Sequence, residues 1–128
     1  MVLTNIKTSI RTAQADAAVD SIDVGSGTAQ GRLKIYTAAF GALLCTCNFS
    51  NPAFGAAASG VATASAISTG TAGASGTAAV GRVVDRDDAT QWEFTVGTSG
   101  ADLNLTNVTI ATNDTVAISS FTFTQPAS

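Results

Sequence analysis

In the stretch "LTNIKTSIRTAQADAAVDSI" the residues Leu3, Ile6, Ile10, Ala13 and Ala17 recur every three or four positions. That is the spacing of one narrow face of an α-helix. Thr4 stands where an N-cap hydroxyl accepts an amide proton of the first turn, and Gly25 and Gly27 mark the end of the run. The seam is deep at Leu3, Ile6 and Ile10 and shallow at the two alanines. A short exposed helix is marginal in water, and the alanines make a weak anchor within the chain. The three large residues are therefore expected to meet a partner.

After "GSGTAQG" the period falls to two. "RLKIYT" sets Leu33 and Ile35 against Arg32, Lys34 and Tyr36, and "GALLCTCNF" sets Leu43, Cys45, Cys47 and Phe49 against Leu44, Thr46 and Asn48. Both read as half-buried strands. Asn51-Pro52 predicts a turn, Phe54 a loop anchor, and Gly60 the start of a short strand. In "TAAVGRVVDRDDATQWEFTVG" two β-rich runs flank a polar turn, with Trp92, Phe94 and Val96 on one face. Trp92, Phe94, Leu43 and Cys45 are the expected core. Further turns fall at Thr98–Gly100 and Asn113–Asp114. Val116 and Ile118 differ in parity from Phe121 and Phe123, which predicts a bulge or bend at Ser119–Ser120, and Pro126 closes the last strand.

The run from Gly55 to Gly81 is rich in Gly, Ala, Ser and Thr, with Val61, Ile67 and Val80 as its larger apolar residues. Such a composition offers little side-chain area to offset the entropy of ordering a chain. Its position between a patterned strand and a strong hairpin favours ordered strand and loop over a tether, with residues 68–76 the most mobile part. The pattern as a whole predicts a mainly β chain: an antiparallel β-sandwich, Ig-like or jelly-roll-like, with one N-terminal α-helix. Residues 1–27 form the helix and a Gly/Ser linker, and residues 28–128 form the sandwich.

Composition sharpens this picture. A chain of 128 residues with 45% hydrophobic and 12% charged residues is too apolar for solvated disorder, and a domain of this size buries roughly two-thirds of its unfolded surface. The net charge is −3 and the six basic residues do not cluster, so no stripe for nucleic acid is expected. The apolar part of the uncharged run after Lys34 is shorter than the ~20 residues of a membrane-spanning helix. Lys7 and Arg11 precede no apolar run, so no secretory signal is expected. Without export, the sequons at Asn48, Asn104, Asn107 and Asn113 carry little meaning.

Candidate chemistry is sparse. With no histidine, the commonest general base and zinc partner is missing. Cys45 and Cys47 share a strand face, poor geometry for a disulfide, and lack further metal ligands; they read as small buried hydrophobes. Asp85, Asp87 and Asp88 crowd one turn but lack the glycine and distant glutamate of a helix-loop-helix calcium site, and read as a solvated turn. "GSGTAQG" lacks a phosphate-reaching lysine and "GTSGAD" reads as a turn. No catalytic, cofactor-binding or metal residue is assigned, no cofactor is expected, and an enzyme is the least expected reading.

The order of "IRTAQADAAVDSIDVGSG", "GRLKIYT", "NPAFGAAASGVATA" and "VGTSGADLNLTNVTIATNDTVAISSFTFTQP" resembles small structural proteins of tailed phages and prophages. "NPAFG", "GVAT" and "GTSGADLNL" carry most of the likeness, as turn and strand motifs without chemistry. The resemblance implies a non-enzymatic head decoration or cement protein. Such a protein is made in the bacterial host cytoplasm and sits on the virion's capsid surface, bound to the major capsid protein as a homo-oligomer, with no nucleic acid or membrane partner. The partner interface is placed at Leu3, Ile6 and Ile10. A tail, collar or fibre-associated component is the alternative. A carbohydrate-binding module with Tyr36 or Phe40 as sugar platform is a further one.

Overall fold

Alternation in the two runs either side of the "DRDDAT" turn builds the centre of the sandwich. A computed structural model describes residues 4–126. Its principal sheet comprises β1 (Arg32–Tyr36), β2 (Leu43–Asn48), β6 (Val80–Val84), β7 (Thr90–Gly97) and β8 (Leu103–Asn104), in the order β2-β1-β6-β7-β8. All neighbours are antiparallel except β7 and β8. Between β2 and β6 the chain forms β3 (Val61–Thr63), β4 (Gly70–Thr71) and β5 (Gly76–Thr77). After β8 come β9 (Thr109–Ile110), β10 (Thr115–Val116) and β11 (Thr122–Thr124). These six short strands pair as β11-β3, β10-β4 and β5-β9. The result is a mainly β, sandwich-like fold with one N-terminal helix, as the period-two patterning predicts.

The core follows from the alternation. Leu33 and Ile35 of β1 and Val83 of β6 are fully buried, each worth about 1.5–3 kcal/mol relative to exposure. Phe49, Phe54, Phe94 and Phe121 close the far side, with ring centroids 5.2–6.3 Å apart. The Gly/Ala/Thr run is ordered strand and loop: Ala62, Gly70, Ala72 and Ala78 are buried. The 68–76 segment is tied down by Gly73 N–H donating to Leu44 O at 2.9 Å and Ala72 N–H donating to Asp114 O at 2.8 Å. Small residues are used because the layers approach closely. Gly70 lies directly on the Cys45 and Cys47 sulfurs.

Two of the expected core residues, Leu43 and Trp92, need correction, while Phe94 and Cys45 are buried. In β2, Ile35 pairs with Cys45 while the next residue, Tyr36, pairs with Leu43. Leu44 is thus the extra residue of a bulge. The bulge turns Leu44 into the core and leaves Leu43 42% exposed. A second irregularity, where Val83 faces Trp92 but Val84 faces Thr90, sits beside Trp92. That side chain is half-buried against Phe123, at 5.0 Å between ring centroids. The parity change near Ser119–Ser120 is present: Val116, Ile118 and Phe121 are all buried while both serines are exposed.

The helix also differs. α1 spans Thr8–Asp20 after Lys7, with no side-chain cap, so Thr4 is not its N-cap. Its buried face is Ala15 and Val19, continued by Ile22 in the following turn, rather than Ile10, Ala13 and Ala17. The reason is polar. Thr12 Oγ1, Asp16 Oδ1 and Asp23 Oδ1 accept the amides of Gly60, Ala57 and Ala53 at 3.1, 2.7 and 3.0 Å. This stripe fixes the rotation of the helix over the 53–60 segment and β3. Residues 24–28 are bonded to the β6–β7 turn, with Arg86 N–H donating to Val24 O and Thr28 N–H to Arg86 O.

Candidate interaction surface

The aspartates of the β6–β7 turn diverge to separate structural tasks. Asp85 is 8% exposed, so the turn is not simply solvated. Its Oδ1 accepts the amides of Asp87 and Ala89, both at 2.9 Å, and its Oδ2 accepts the Gln91 side chain at 3.2 Å. Asp87 Oδ1 accepts the amides of Ser26 and Gly27 at 2.9 and 2.8 Å, and these bonds hold its carboxyl below the usual carboxylate range. Asp88 pairs with Lys34 at 2.6 Å and Arg32 at 3.1 Å. The bond to Lys34 leads in lowering its carboxyl. Among the described residues no group of three or more His, Cys, Asp or Glu side chains is placed to hold a metal ion.

Cys45 and Cys47 are buried free thiols. The hydrogen bond with Cys45, then burial, pushes the Cys47 thiol up, and a protonated, covered thiol is a poor nucleophile. A groove of about 350 Å³ next to β9 and β10 has one carboxylate in its lining, Asp114, whose Oδ2 already accepts Ala111 N–H at 2.9 Å. No acid–base pair faces it.

Two surfaces of opposite character remain. The outer face of the principal sheet carries Arg32, Lys34, Arg82, Asp88 and Glu93. Arg82 bonds Glu93 at 3.0 Å and lies over Phe40 at 4.1 Å and Tyr36 at 5.4 Å. The 37–42 loop holds Phe40 there with Ala39 and Phe40 both at φ 57°, a left-handed conformation costing roughly 1–2 kcal/mol per residue. The expected sugar platforms, Tyr36 and Phe40, are therefore an edge-to-face pair at 5.4 Å with one face covered by Arg82.

The other layer is neutral. No charged side chain lies between Lys34 and Arg82, and Asp114 is the single one after Asp102. The fold gathers these two regions into the three short ladders. On each ladder an exposed threonine faces an exposed threonine: Thr71 opposite Thr115, Thr77 opposite Thr109, Thr63 opposite Thr122. The inward positions are Gly70, Val116, Ile110 and Ala62. Of the predicted interface residues, Leu3 lies outside the described residues, Ile6 is half-buried ahead of α1, and Ile10 is 50% exposed on it. The charge-free run is visible in the sequence, but the threonine pairing depends on register, which no local signal gives. Comparison with family models, with curated proteins and with solved structures finds no match to this chain.

Proposed function

We propose that the chain is a non-enzymatic virion structural protein that docks through its neutral layer onto a repetitive protein shell, in the manner of a phage head decoration or cement protein. The observation supporting this is the threonine-faced layer. Uncharged hydroxyl, methyl and alanine surface gives up water at a lower cost than charged groups do, with each hydroxyl hydrogen-bonded across the contact. The opposite, ion-paired face suits exposure to solvent. The carboxylates of the β6–β7 turn are spent on holding the fold, in keeping with a binding rather than a catalytic part. The likeness of "NPAFG", "GVAT" and "GTSGADLNL" to tailed-phage structural proteins adds the setting.

The major capsid protein is the proposed partner, and Ile6 and Ile10 extend the contact at the helix. Gold labelling of virions with an antibody to the chain tests the setting. Label over the heads is the expected result. Label confined to tails or fibres would replace the capsid reading with the tail one, and absence from virions would overturn both.

A further inference from the structure

β7 and β11 run side by side without being joined. β7 pairs with β6 along one edge, and on the other edge β8 reaches Val96 and Gly97 alone. β11 pairs with β3 along one edge, and among the described residues no strand pairs with its other edge. A groove of about 340 Å³ opens between them, lined on one side by Trp92, Glu93, Phe94 and Asp102 and on the other by residues 121–124. Its floor is aromatic: Trp92 meets Phe123 at 5.0 Å and Phe94 meets Phe121 at 5.2 Å.

The ladder hydrogen bonds fix which peptide groups face this groove. Val96 N–H donates to Ala79 O, and with the β6–β7 register this makes Phe94 bond toward β6 and turns Glu93 and Thr95 the other way. Thr95 N–H is taken by Asp102 Oδ2 at 3.0 Å. On β11, Ala64 N–H donates to Phe121 O and Gln125 N–H to Gly60 O, so Phe121, Phe123 and Gln125 bond toward β3. Thr122 and Thr124 then turn their peptide groups outward. Donors and acceptors of Glu93 thus face those of Thr122 and Thr124 across an aromatic floor.

We infer that this groove receives an extended segment of a different protein chain, paired through its backbone to Glu93 on one side and to Thr122 and Thr124 on the other. An unpaired strand edge is complemented by another backbone, which offers N–H and C=O at matching spacing. Two walls admit a single extended arm, because the neighbours of an intact sheet edge run into β11. Glu93 is ion-paired with Arg82, and Asp102, exposed at the β8 end, holds Thr95 N–H, so the middle of the groove asks for alternating apolar side chains directed at Trp92 and Phe123. This deepens the proposed function and rests on its protein partner, whose arm it places.

Trp92 is the sole tryptophan and walls the groove, so its emission reports occupancy. The probe is a nine-residue peptide of alternating threonine and valine with a lysine at each end, titrated into the full chain. The control is the same peptide N-methylated at its valines. A saturable change in Trp92 emission, with about tenfold weaker binding of the methylated peptide, is the expected result. In Thr122→Pro with Thr124→Pro, an unchanged melting transition and a lost peptide response would agree; the methylated control decides should this variant not fold. Equal binding of both peptides would mean an apolar pocket without strand pairing and would overturn the inference. No emission change up to millimolar peptide would also overturn it, as would an emission change that follows protein concentration alone, the sign of a second copy. Shell co-sedimentation separates the two readings: lost shell binding with a retained peptide response removes the capsid setting and leaves the receptor groove.

Discussion

Replacing Gly70 by alanine puts a Cβ 2.5 Å from the Cys45 sulfur, 3.1 Å from the Cys47 sulfur and into the carbonyl oxygen of Thr46. The carbonyl belongs to β2, which is held in register by β1, and the thiols are buried, so none of the three can swing aside. Overpacking of this kind costs about 1–3 kcal/mol. For a domain of this length each kcal/mol lowers Tm by roughly 3–5 °C, giving a fall on the order of 3–15 °C. Gly73, three residues along the same run, has nothing within 4 Å of an added Cβ and no positive φ. Gly73→Ala restricts the unfolded chain without a native clash and is expected to stabilise by about 0.4–1 kcal/mol. Thermal unfolding of the two variants, followed by circular dichroism, reads the contrast. A Gly70→Ala protein that melts like the parent would refute the packing of this run against the thiol pair. Equal losses in both variants would refute the claim that the run alternates between core and surface.

Other consequences follow from the polar contacts. Asp85→Ala removes three hydrogen bonds to a carboxylate and orphans the amides of Asp87 and Ala89, so chemical denaturation should show a loss of about 2–4 kcal/mol. Asp87 and Asp88 titrate below the ordinary carboxylate value of 3.8 when folded. Their stabilisation is present above that value and lost as pH falls through the lower folded values, and acid titrations of Tm should show Asp87→Asn and Asp88→Asn flattening the decline below about pH 4. Asp23 has the opposite sign, because burial leads in raising its carboxyl: its contribution is present below 3.8 and lost as pH rises through the folded value. Asp23→Asn, which retains an oxygen for Ala53 N–H, should melt no lower than the parent at pH 7. Ile6→Asp with Ile10→Asp should leave the melting transition in place and weaken shell binding in a sedimentation assay; loss of the fold would place these side chains in the core.

Much of the sandwich was written in local pattern. The β6–β7 hairpin follows from two alternating runs around a turn-forming segment, and the parity change before Phe121 announces the bend at Ser119–Ser120. The Leu44 bulge was hidden because it arises from how β1 and β2 match along their length, and either parity of "GALLCTCNF" offers buried candidates. The inward face of the helix is hard to read for a related reason. Apolar size singles out Ile6 and Ile10, which the sequence reading assigns to a partner, whereas the face that turns inward pairs Ala15 and Val19 with the polar anchors Thr12 and Asp16, four residues apart. A threonine and an aspartate at helical spacing beside small apolar residues were the available signal. The neutral surface was half legible: the absence of charge can be read along the chain, but the fold alone brings residues 61–77 beside residues 109–124. The groove between β7 and β11 had no local signal, since unpaired edges are a property of topology.

Co-sedimentation with empty capsid shells that lack the protein tests the neutral layer most directly. The shells are those of the tailed phage or prophage to which the proposed function assigns the chain. Thr71→Lys with Thr115→Lys charges one threonine pair of that layer, and Ala89→Lys with Thr90→Lys, at two exposed positions where β7 leaves the β6–β7 turn, adds the same charge to the principal sheet. The parent and the Ala89/Thr90 variant are expected to pellet with shells to the same saturating copy number, while the Thr71/Thr115 variant stays in the supernatant with an unaltered melting transition. A parent chain that does not pellet with the shells, or a Thr71/Thr115 variant that pellets as the parent does, would contradict docking through the neutral layer.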